Sequence, residues 1–125
     1  MTVTSEASTA WRGGLIDGSG AVTFGSSGLG TFDVNWKARS EGSSSVTTPE
    51  ELIAAAHSSC FSMALSHALA ENGTPPQSIE TTASVTFKPG TGITGSHLNV
   101  NAVVPGLEPE EFERLQQYLA CTCMI

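Results

Sequence analysis

Three cysteines and five Lys plus Arg side chains frame the chemistry open to this chain. Cys60 stands within His57-Ser58-Ser59-Cys60-Phe61. A thiol there can be a small apolar side chain packed in a core. As a nucleophile it needs a nearby cation to hold the thiolate, and a second thiol if the chemistry is redox. Cys121-Thr122-Cys123 offers such thiols, although a C-x-C pair could also bind metal or close a local disulfide. Arg39 is the candidate cation: a guanidinium beside Cys60 would favour the thiolate and would keep its own proton. Glu50 reads first as an acid at the positive end of a helix and second as the carboxylate that orients Arg39. Glu50 and Cys60 are ten residues apart, about 15 Å along a helix. Either Arg39 bridges that gap, or the glutamate comes from a second subunit whose long helix packs antiparallel about a two-fold axis. His57 and Cys60, at i and i+3, could both touch a metal, with His67 near the same face. A zinc site would need further ligands, and only Cys121 or Cys123 are soft enough; packing histidines are the simpler reading. No P-loop, Rossmann or nucleophile-elbow fingerprint occurs.

The elements that must position these groups follow from period and punctuation. Residues 7–11 and 21–24 are short strand-like runs separated by the turn signal Gly18-Ser19-Gly20. Phe32, Val34 and Trp36 alternate with polar neighbours, the period of a half-buried strand, so Arg39 is expected at a strand end. Residues 25–30 and 42–45 read as loops. Thr48 is a good N-cap, Pro49 suits the first helical position, and Thr48 with Glu51 matches a capping box. Asn72-Gly73 stops the helix and Pro75-Pro76 prevents its continuation. The result is a helix of about 22 residues or 33 Å, apolar nearly all round. Such a helix is expected to be central and buried, with the sulfur of Cys60 inside. Residues 79–87 and 93–104 read as strands joined by a Pro-Gly turn, and a second helix opens at Glu108-Pro109. Three strands, a long helix, two strands and a helix make an α+β arrangement.

Composition narrows the function classes. One domain over residues 1–125 is expected from the length. Hydrophobic residues make up 39% and charged residues 14%, which argues against disorder and suggests that part of the surface is covered by another chain. A formal charge of -7 provides no field to attract nucleic acid or an anionic membrane. No stretch of about 18 consecutive apolar residues occurs, so no bilayer span is expected. Residues 1–11 lack the apolar core of a secretory signal, so the expected location is cytoplasmic, where three cysteines are not a disulfide scaffold.

Residues 48–66, with Pro49, Glu50 and Cys60 at fixed spacing, resemble the helix signature of the OsmC/Ohr family, in particular its OsmC branch. Residues 78–83 and 103–106 resemble OsmC segments too, so the likeness runs from about Trp11 onward. The resemblance implies an OsmC-like fold, antiparallel strands around a long central helix, in an intertwined homodimer. It implies a thiol-dependent peroxidase of organic hydroperoxides, and more weakly of hydrogen peroxide, in oxidative or osmotic stress defence. By similarity Cys60 is the peroxidatic cysteine, Arg39 the activating arginine, Glu50 its carboxylate partner and Cys123 the resolving cysteine. No cofactor and no metal are implied; the reductant is a dithiol, lipoyl or small. The family pattern continues past the second cysteine with Pro-Val, whereas here Met124-Ile125 follow Cys123. The C-terminal end is therefore expected to be shortened. The alternatives are a stress-induced dimeric protein that binds a small ligand, and a redox sensor without turnover.

Overall fold

The computed structural model describes the backbone of residues 1–122 and the side chains of residues 1–119. Cys123 lies outside the described residues, and of Cys121 only its place in a helix is described. The elements are β1 (Ala7–Arg12), β2 (Ser19–Phe24), β3 (Thr31–Val34), α1 (Trp36–Glu41), α2 (Pro49–Glu71), β4 (Ser78–Lys88), β5 (Gly92–Val103) and α3 (Pro109–Thr122). The α+β class and the order read from the sequence hold, with one added helix. The chain's internal contacts group it into two units, one of Met1–Leu52 with Phe87–Thr94 and one of Ile53–Thr86 with Gly95–Ile125.

In the first unit, β1, β2 and β3 form an antiparallel sheet in that order, Ala10 facing Ala21 and Val22 facing Phe32. The expected strand through Trp36 ends early. Asn35 adopts extended dihedrals and its Oδ1 accepts the Ala38 N–H at 2.8 Å, which starts α1 at Trp36. Gly42 ends the helix at φ 88°, a left-handed value that glycine adopts without strain. Arg39 therefore sits on a short capped helix and not at a strand end. A side-chain cap outweighed the two-residue period, because Asn at an N-cap satisfies an orphan N–H that a strand would leave to a neighbour.

The long helix matches its sequence signals closely. Thr48 Oγ1 accepts the Glu51 N–H at 3.1 Å. The capping box is half made, since the Glu51 carboxylate accepts from the Thr47 hydroxyl instead of reaching back to Thr48. Gly73, at φ 81°, and the bond from Thr74 N–H to the Leu69 carbonyl (2.9 Å) close its C-terminus. By length and composition α2 could cross a membrane. Within the chain it packs along one stripe: Phe61, Leu65 and Leu69 are fully buried, packed by Ile79, Leu98, Val100, Phe112, Leu115 and other half-buried residues. The expectation of burial on all sides is corrected. The apolar stripe at Phe61, Leu65 and Leu69 is closed and Glu50 is buried in the first turn, while Ile53 and Met63 are exposed. Alternation in β4 is complete, every second residue from Ile79 to Phe87 being half-buried.

Candidate active site

Arg39 and Glu50 meet, as the sequence suggested. Nε of Arg39 donates to both carboxylate oxygens of Glu50, at 3.2 and 3.1 Å, and Nη2 donates to Oε2 at 3.0 Å. Two elements produce this fork. The cap at Asn35 sets the rotation of α1, and the first turn of α2 presents Glu50. That turn is the positive end of a helix dipole, a favourable place for a carboxylate. Glu50 is the one buried charged residue among the described residues. A carboxylate leaves water only with such partners, and a bidentate charge-assisted pair is the strong kind.

Two aromatic residues complete the setting, and the sequence reading missed both. The guanidinium carbon of Arg39 lies 4.3 Å from the centroid of the Phe87 ring. Trp36 meets the same ring edge-on, centroids 5.8 Å apart at 85°. Trp36 precedes Arg39 by three residues and shares its helical face, a relation legible only once the Asn35 cap is read as the start of a helix. Phe87 carried no such signal; it arrives from a distant strand. A cavity of about 340 Å³ adjoins Arg39, with mostly apolar walls that include Trp11, Leu15, Val22, Val34, Trp36 and Leu52.

Cys60 belongs to the second unit. It is exposed, which corrects the expectation of a buried sulfur. Its helix is held on both sides of it. Nδ1 of His57, one turn before, shares a 2.7 Å hydrogen bond with Ser96 Oγ on β5. The Ser62 hydroxyl, just after, donates to Thr81 Oγ1 on β4 at 2.7 Å. The adjacent Phe61 is fully buried and anchors the rotation of the helix. Phe61 and Leu98 belong to this core, and Met63 is exposed. His57 is thus engaged by a serine, and no cluster of three or more His, Cys, Asp or Glu that could hold a metal occurs among the described residues.

A family model described as OsmC-like protein matches residues 40–125. Peroxiredoxin OsmC of Escherichia coli (strain K12) is 38% identical over 128 residues, covering 100% of this chain and 89% of the relative. Peroxiredoxin OsmC of Shigella flexneri gives the same figures. Among solved structures, the organic hydroperoxide resistance protein OhrB of Bacillus subtilis has a TM-score of 0.61 at 26% identity, covering 97% of this chain and 86% of that one. An organic hydroperoxide resistance protein from Elizabethkingia anophelis has a TM-score of 0.65 at 25% identity, covering 98% and 86%.

Proposed function

Since the chain belongs to the OsmC-like protein family, we propose that it is a thiol-dependent peroxidase acting on organic hydroperoxides in the cytoplasm. The Cys60 thiolate attacks the terminal oxygen of ROOH. The O–O bond breaks, the departing alkoxide takes a proton from solvent and leaves as ROH, and Cys60 becomes a sulfenic acid. Cys123 condenses with it, releasing water and forming a disulfide. A dithiol, lipoyl or small, then reduces that disulfide by exchange. Arg39 holds the thiolate and the charge that develops on the departing oxygen. Glu50 orients Arg39. The apolar cavity beside Arg39 takes the organic group of the peroxide, and the working form is a homodimer.

The observation that carries this reading is the Arg39–Glu50 fork, in which a buried carboxylate holds a partly exposed guanidinium. An arginine so seated is of little use to a surface, since surface ion pairs contribute little; it is of use to an anion that must be met in a fixed place. The names of the relatives point to peroxide as the substrate. The cavity favours one second reading, a protein that merely binds a small apolar ligand. Peroxide consumption separates the two. With cumene hydroperoxide and dithiothreitol, the wild type should turn over and a Cys60→Ser variant should not. Equal, slow consumption by both would end the peroxidase reading.

A further inference from the structure

We propose that Phe87 is a positioning residue for Arg39, forming with Trp36 an aromatic clamp that fixes the plane of the guanidinium for the chemistry at Cys60. The inference rests on the reading of Arg39 as the group that holds the Cys60 thiolate. Glu50 takes only one edge of the guanidinium, the Nε and Nη2 edge. Nη1 has no hydrogen-bond partner among the described residues and remains available to a reacting anion. A carboxylate on one edge does not settle where Nη1 points. The guanidinium can tilt about the axis of those hydrogen bonds, and its side chain is 32% exposed, so solvent would allow the tilt.

A π face at 4.3 Å restricts that freedom. The ring attracts the cation to its face. The Phe87 ring is itself held: Trp36 packs against it edge-on at 85°, the arrangement in which the positive rim of one ring meets the negative face of another. Trp36 and Arg39 are one turn apart on α1, so the two residues that touch Phe87 move as one body. Edge and face together narrow the directions open to Nη1.

Loss of the aromatic face should reduce the seated population of Arg39 by about three- to tenfold, the range expected for a partly exposed cation–π contact. The test uses the full chain with Phe87→Leu, Phe87→Tyr, Trp36→Leu and Arg39→Ala, each checked for folding by circular dichroism. Two quantities are read: the rate at which iodoacetamide alkylates Cys60 against pH, followed by mass spectrometry of its peptide, and kcat and KM for cumene hydroperoxide. Phe87→Leu should slow alkylation near neutrality and lower kcat by about that factor with KM little changed, because it alters the electrostatics at sulfur and not the cavity. Phe87→Tyr, which keeps a π face, should restore both. Trp36→Leu should slow alkylation by a smaller factor; because Trp36 also walls the cavity, only its alkylation rate is read, and that rate serves as the test if Phe87→Leu does not fold. A folded Phe87→Leu with wild-type rates, while Arg39→Ala is slow, sinks the clamp and leaves the role of Arg39 standing. Wild-type rates in Arg39→Ala remove the role of Arg39 and the clamp with it.

Discussion

At the residue scale, Arg39 and Glu50 share one ion pair from unequal positions. The Arg39 side chain is 32% exposed and that of Glu50 only 7%. The two partners should therefore differ when removed. Arg39→Ala strands a buried carboxylate, and breaking such a pair costs about 3 kcal/mol, the low end for buried pairs because one partner is partly wet. Glu50→Gln removes the charge, keeps an acceptor, and leaves a guanidinium that can turn to water; its cost should be about 1 kcal/mol. Both variants should lose peroxidase turnover. Urea unfolding at neutral pH measures the difference, and equal losses of stability would show that Glu50 is not the more dependent partner.

At the scale of elements, the short helix α1 is the unexpected one. Six residues make too little helix to persist alone. It persists because Asn35 caps it, Gly42 ends it, and the Ser40 hydroxyl donates to the Trp36 carbonyl at 2.9 Å. Asn35→Ala should cost about 1 kcal/mol and should slow turnover as well, since α1 carries Arg39. Asn35→Asp should recover both, because Asp caps equally well. A thermal melt beside an activity assay checks this; unchanged turnover in a destabilised Asn35→Ala would separate the cap from the site. The long helix works differently. It holds Cys60 by packing at Phe61 and by hydrogen bonds from His57 and Ser62 to two strands, so its precision comes from tertiary contacts.

At the scale of the whole molecule, the single chain leaves α2 apolar on more than one side and buried on one. Met63 is 73% exposed although Leu65, two residues on, is fully buried. The proposed homodimer would cover this face of α2 at Met63. Met63→Glu should therefore yield a folded monomer where the wild type is a dimer by light scattering. A Met63→Glu dimer of wild-type stability would place the contact elsewhere.

The sequence by itself determined the α+β order, both ends of α2, the strands β4 and β5, and the partnership of Arg39 with Glu50. Those features rest on local rules: caps, turn glycines, a two-residue or 3.6-residue period, and charge opposite charge. Tertiary structure decided which stripe of α2 is closed, that Cys60 is exposed, and that Phe87 lies over Arg39. An all-round apolar helix carries no directional signal, so only the strands packed on it choose the buried face. A ring contributed by a remote strand leaves no mark in the residues around Arg39, because its contact is made by the fold and not by spacing.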